Sequence, residues 1–255
     1  MRATSAVLGV LFATAPLSAA FAQAGNVAEI NFQVPKVGMT KQYEAGRKKH
    51  MDWHKRQNDT WTWYTWQITS GEFTGTYITA SLGHEWKDFD GREKFLASDL
   101  ADLAVNVGPT LEKTTVHYYV RRDDISVNPG AGGGAPSAML AVTTYLLRPD
   151  GVPEFLDGVK KVNEGIKKTN YPQAGASRWY QLANGGESPT FVLVSDRANY
   201  AALKANDKTL DAMMEEAYGK DQGPAILSTL RKTFRKVDTV LYQYRPDLSY
   251  VPAAK

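Results

Sequence analysis

The chain has 255 residues, 43% of them hydrophobic and 22% charged, so it can bury a sizeable core. It has no cysteine, which excludes disulfides, thiolate zinc sites, thiol nucleophiles and dithiol redox chemistry. Thirty basic residues against 27 acidic ones give a net charge of +3, too balanced to argue for a nucleic acid or an anionic membrane as partner.

Arg2, the apolar run Ala6 to Ala15, Pro16-Leu17-Ser18 and the small-residue pattern Ala20-Phe21-Ala22 read as a secretory signal over residues 1–22, cleaved after Ala22. The mature protein is therefore expected in the periplasm or outside the cell. Thr4, Ser5, Thr14, Pro16 and Ser18 interrupt the run, so it does not read as an anchor. No integral membrane segment is expected after cleavage.

A first unit, 23–127, shows hydrophobic periods that alternate in a definite order. They predict a strand over 27–34, a helix over 39–57, strands over 60–69 and 76–83 joined through Gly71 and Gly75, a helix over 98–112 interrupted near Gly108-Pro109, and a strand over 114–122. Residues 128–137, Asn-Pro-Gly-Ala-Gly-Gly-Gly-Ala-Pro-Ser, read as a flexible linker. They do not read as a phosphate loop, because no Lys-Ser/Thr follows and a strand comes next. The second unit, 138–255, repeats the order with strands over 138–147, 177–183, 190–195 and 237–245. Its helices fall over 153–168 and 207–234, the latter broken near Gly219 to Pro224.

The units match in sequence as well as in period. Tyr43-Glu44-Ala45-Gly46-Arg47-Lys48-Lys49 falls on Phe155-Leu156-Asp157-Gly158-Val159-Lys160-Lys161, and Trp63-Tyr64 on Trp179-Tyr180. Gly71-Glu72 falls on Gly186-Glu187, and both units close on Arg-x-Asp-aliphatic-Ser, at 122–126 and 245–249. The order βαββαβ is the ferredoxin-like arrangement, with two helices on one face of a four-stranded antiparallel sheet. Each sheet leaves an apolar face uncovered. Two tandem units can cover each other, which predicts an α+β fold packed as an intramolecular α+β barrel.

Leu147-Arg148-Pro149-Asp150-Gly151-Val152-Pro153-Glu154-Phe155, Arg178-Trp179-Tyr180 and Phe191-Val192-Leu193-Val194 followed by Asp196-Arg197-Ala198-Asn199-Tyr200 resemble the dimeric α+β barrel superfamily, most closely its NIPSNAP-like branch. That resemblance implies the barrel fold. The superfamily includes cofactor-free monooxygenases, haem-degrading and haem-binding enzymes and isomerases, but no catalytic motif of theirs is matched here residue by residue.

Differences between the units point to a site. Met39, Tyr43, Gly46, His50 and Trp53 form a stripe at spacings of four and three, which turns His50 toward the sheet. Alignment places Val162 opposite His50, Ile166 opposite His54 and Val240 opposite His117, so three imidazoles stand where the second unit has aliphatic side chains. An unpaired buried imidazole costs roughly 1–3 kcal/mol, so each needs a partner or a use. His50 and His54, four apart on one helix face, can ligate one metal or an axial haem position, with His117 as a third group or general base. The pair lacks the Glu of the helical zinc motif, so no metal site is assigned and satisfied core histidines remain the plainer reading. His84, near a strand end, is expected at the surface.

Strand 60–69 carries Trp61, Trp63, Tyr64 and Trp66, whereas the second unit has Ser177 and Leu182 for Trp61 and Trp66. Alternation sends Trp61 and Trp63 to one face and Tyr64 and Trp66 to the other. One set is expected between the sheets and the other beneath the helices. The basic residues around 41–56 and 231–236 read as solvated helix faces. The expected site is therefore a ligand pocket among His50, Trp53, His54, Trp61, Trp63, Trp66 and His117, taking a small apolar or aromatic ligand or a protein partner. The alternative is an oxidoreductase or isomerase using the same histidines with metal, haem or no cofactor. The sequence names no cofactor and does not decide between these.

Overall fold

The computed structural model describes residues 25–129 and 135–253. The expected leader, 1–22, and the glycine-rich centre of the expected linker lie outside the described residues.

The first half comprises β1 (Val27–Pro35), α1 (Thr40–Arg56), β2 (Tyr64–Ile68), β3 (Tyr77–His84), α2 (Trp86–Asp90), α3 (Glu93–Asn106) and β4 (Leu111–Arg121). The second comprises β5 (Met139–Leu147), α4 (Val152–Lys168), β6 (Ser177–Asn184), β7 (Thr190–Arg197), α5 (Leu210–Tyr218), α6 (Gln222–Lys232) and β8 (Phe234–Tyr244). All eight strands close into one antiparallel barrel in the order β1-β3-β2-β8-β5-β7-β6-β4. Within each half the last, first, third and second strands lie side by side, and β2·β8 and β4·β6 join the halves. Closure removes every open sheet edge. Register repeats too: Ile30 faces His117 across β1·β4 as Val142 faces Val240 across β5·β8.

The repeated Arg-x-Asp-aliphatic-Ser segments tie one half to the other. Arg122 binds Asp124 with two hydrogen bonds, Ile125 enters the core of the second half, and Ser126 Oγ accepts the Trp179 N–H at 2.9 Å. Arg245 binds Asp247 in the same way, Leu248 enters the core of the first half, and Ser249 Oγ accepts the Thr65 N–H at 2.8 Å. Each half thus contributes a fully buried aliphatic side chain to the other, worth roughly 1.5–3 kcal/mol by burial alone.

Two boundaries differ from expectation. The helix expected over 98–112 runs instead from Glu93 to Asn106, preceded by a short α2 whose Glu85 and Asp88 form a reciprocal cap. It ends because Pro109 disfavours helical geometry at Gly108, and residues 108–110 tighten into a single 3₁₀ turn. β2 begins at Tyr64 rather than near 60, since the Trp61 N–H is taken by Asp59 and Trp63 pairs only with Tyr250. The break expected near Gly219 falls at Gly219 itself, whose φ of +90° suits glycine. No helix among the described residues is long and apolar enough to cross a membrane.

Candidate functional site

Strand alternation gives the barrel two separate chemical layers. Tyr64 and Trp66 face its interior, while Trp61 and Trp63 pack beneath the helices of the first half. The seven residues expected to form one site therefore divide between two places. His50, Trp53, His54, Trp61 and Trp63 lie in the helix–sheet layer of the first half, whereas Trp66 and His117 line the barrel. His117 cannot act as third group to the histidine pair, because β4 turns it inward to pack its ring 4.9 Å from Phe32.

The barrel encloses a cavity of about 830 Å³. Its wall is mostly aliphatic and aromatic, with Ile30, Phe32, Tyr119, Val142, Val194 and Tyr242 among the lining. Pro129, Ala135 and Pro136, which belong to the expected linker, line it together with the Arg178–Asp196 ion pair. Burial raises the Tyr242 hydroxyl well above its usual range and takes Tyr119 to about 12, so both stay protonated donors. His117 is shifted down by burial, which favours the neutral ring. Two buried polar atoms of this wall, Trp66 Nε1 and His117 Nδ1, have no hydrogen-bond partner among the described residues. Such groups are uncommon in folded proteins and cost roughly 1–3 kcal/mol each.

The outer layer is built on α1, whose spacing places His50 and His54 one turn apart facing α3 and the sheet. His50 Nδ1 lies 2.8 Å from Asp102 Oδ1, and His54 Nδ1 lies 2.9 Å from Asp59 Oδ2. Both Nε2 atoms turn toward Asp99 Oδ1, at 3.2 Å from His50 and 3.5 Å from His54. Asp59 also accepts from Trp63 Nε1, the Trp61 N–H and two Arg92 nitrogens. Burial alone would raise its pKa, but the bonds from His54, Arg92 and Trp61 hold it well below the usual carboxylate range. His54 is itself shifted down, burial outweighing the pull of Asp59, so the pair is a neutral imidazole donating to a carboxylate. Arg92 stacks over Trp61 at 4.0 Å and Phe95 at 4.2 Å, fixing α3 against the strand entrance.

His84 is not at the surface. It is buried, stacked 3.6 Å from the Trp61 ring, and hydrogen-bonded through Nε2 to Ser81 Oγ at 2.7 Å. Sequence reasoning also missed Asp59, Asp99, Asp102, Arg47 and Arg92. The carboxylates at 99 and 102, three apart in a helical stretch, were the available signal, because that spacing puts both on one face.

Comparison with protein-family models and with curated protein sequences finds no match. Solved structures do match in fold. An anthrone oxidase-like protein superposes with a TM-score of 0.52 at 14% identity, over 88% of this chain and 93% of its own. A proposed monooxygenase from Lactobacillus acidophilus NCFM gives 0.52 at 9% identity, over 91% and 98%. A chlorite dismutase variant from Candidatus Nitrospira defluvii gives 0.52 at 8% identity, over 88% and 93%. These neighbours are α+β proteins of the dimeric α+β barrel superfamily, and the likeness at such low identity is one of fold.

Proposed function

We propose that the chain is an exported α+β barrel protein, periplasmic or secreted, that holds one small aromatic or apolar molecule carrying a hydrogen-bonding oxygen inside its barrel. The observation that carries this reading is the 830 Å³ apolar cavity, whose wall includes the side chains of Trp66 and His117. Cavities of that size and lining suit a small-molecule ligand. A turn of either ring would bring an unpartnered nitrogen, Trp66 Nε1 as a donor or His117 Nδ1 as donor or acceptor, to the cavity, where a ligand oxygen can meet it. The apolar remainder of the wall accepts the ligand body by burial, at about 25 cal/mol per Å². Export is supported by the reading of residues 1–22. The NIPSNAP-like branch is supported by the segment 147–155, and an origin by tandem duplication by the common strand order and the common closing segments.

The experiment is a titration with 6-propionyl-2-dimethylaminonaphthalene, an aromatic ketone whose emission shifts and rises on entering an apolar site, read together with tryptophan emission. Val194 is half-buried in the wall, so Val194→Phe fills cavity space instead of displacing packed core. Saturable binding to the wild type is expected, with at least a tenfold loss in Val194→Phe at an unchanged melting temperature. Equal binding by both proteins would show that the dye sits elsewhere and would sink the reading. A second reading, an oxidoreductase of the first half, is favoured by the histidine–carboxylate cluster and agrees in class with the names of the fold neighbours.

A further inference from the structure

We infer that His50, His54 and Asp99 form a binding site for one divalent first-row transition-metal ion, with Asp102 and Asp59 holding the two imidazoles in the metal-binding tautomer. One atom from each of the three residues lies within 4.8 Å of the other two. The site is separate from the barrel cavity, and the inference does not depend on any ligand there.

An ionised carboxylate only accepts, so the contacts at 2.8 and 2.9 Å require N–H at Nδ1 of both rings. That leaves Nε2 of each ring to offer a lone pair to a metal. Both lone pairs face Asp99 Oδ1, a buried oxygen with no hydrogen-bond donor. Three electron-rich atoms converging in a buried place repel one another unless a cation sits among them. Their separations suit that cation. Two ligands each about 2.1 Å from a metal and at the tetrahedral angle stand roughly 3.4 Å apart, and the observed Nε2–Oδ1 distances are 3.2 and 3.5 Å.

The surroundings follow the pattern of metal sites. Each ligating histidine donates its other N–H to a carboxylate, as metal-bound imidazoles do. The bidentate contact of Arg92 neutralises Asp59, and the buried Arg47, one turn before His50, offsets one of the charges of Asp99 and Asp102. Glu29 is shifted up, chiefly by burial and also by Asp99, and takes a hydrogen bond from Asn31 outside the cluster. One negative charge therefore remains for a dication. Two imidazoles and one carboxylate suit zinc or ferrous iron better than magnesium or calcium. Three protein ligands leave a coordination position open to water or a substrate oxygen. The entrance is on the α3 side, where the Asp99 and Asp102 side chains keep 13% and 16% of their exposure while both histidines are closed off. The second half, with Val162 and Ile166 at the corresponding helix positions, has no such donors.

The test uses the whole protein after dialysis against a chelator. Titration with Co²⁺ should give d–d absorption that saturates at one equivalent per chain, and Zn²⁺ should abolish it. Asp99→Asn is nearly isosteric and partly exposed, and should bind at least tenfold more weakly with an unchanged circular dichroism spectrum. Asp102→Asn, which touches the metal only through His50, should weaken binding by about 10–100-fold and carries the test if Asp99→Asn does not fold. A wild type that takes up no equivalent of Co²⁺ or Zn²⁺, or variants that bind as tightly as the wild type, would overturn the site.

Discussion

The two halves share a strand order and a register but fill the layer between helices and sheet with opposite materials. Beneath α4 and α6 lie Phe155, Val159, Trp179, Phe191 and Leu147, an apolar cluster sealed by Leu230. Beneath α1 and α3 the corresponding space holds Arg47, His50, His54, Asp59 and Gln33, and eleven of the fourteen buried polar or charged residues among the described residues belong to the first half. A buried polar layer gains little over an apolar one unless every member is satisfied, and it costs heavily when one is lost. The second half shows that the fold does not require polar groups here. On the readings proposed above, the first half keeps them for binding, with Asp99 Oδ1 as the unpartnered acceptor at the centre of the histidine cluster.

The largest loss of stability is expected in the apolar layer. Phe155 is fully buried and touches Tyr145, Trp179, Phe191 and Phe234, so Phe155→Ala leaves a cavity that the aromatic neighbours cannot collapse into. A loss of about 3–5 kcal/mol is expected from denaturant unfolding at any pH between 5 and 8. A loss below about 1 kcal/mol would mean that packing does not hold this half.

Acid should act on the other half. His84 is buried against Trp61, and burial brings it from 6.5 to about 4. The folded chain therefore binds fewer protons than the unfolded one over that interval. Its contribution is complete above pH 6.5 and is lost as pH falls toward 4, amounting to about 2 kcal/mol after allowance for solvent screening. Asp59, whose folded pKa is depressed, adds a further loss as pH drops below its ordinary value of 3.8. Urea midpoints followed by Trp emission should fall between pH 6.5 and 4, and His84→Phe, which keeps the stack without the titrating group, should flatten that slope. An equal slope in the variant would place the acid sensitivity elsewhere.

Much of the architecture was legible because hydrophobic periods of two and 3.6 survive in both halves and the matched segments Trp63-Tyr64 and Trp179-Tyr180 fixed their alignment. The split of Trp61 and Trp63 from Tyr64 and Trp66 followed from strand alternation alone. The bounds of α3 were not legible, since none of its residues is fully buried and Leu96, Leu100 and Val105 are exposed, leaving no apolar stripe to read. Asp99 escaped notice because its partners come from α1 and meet it only where the two helices cross. His84 was misplaced for the same kind of reason: a strand end is often exposed, but here the Trp61 ring closes over it. His117 was grouped with the helix histidines because substitution between the halves says that a position changed, not which layer it faces.

The proposed barrel ligand can be tested most directly by a crystal structure of the protein grown with 1-naphthol, a fused aromatic body with one hydroxyl. Difference density is expected for one molecule inside the barrel, its oxygen within hydrogen-bonding distance of Trp66 Nε1 or His117 Nδ1, with no molecule in the apolar layer beneath α4 and α6. A barrel that stays empty at saturating naphthol, or a molecule bound only on the exposed Leu96 and Leu100 surface of α3, would contradict it.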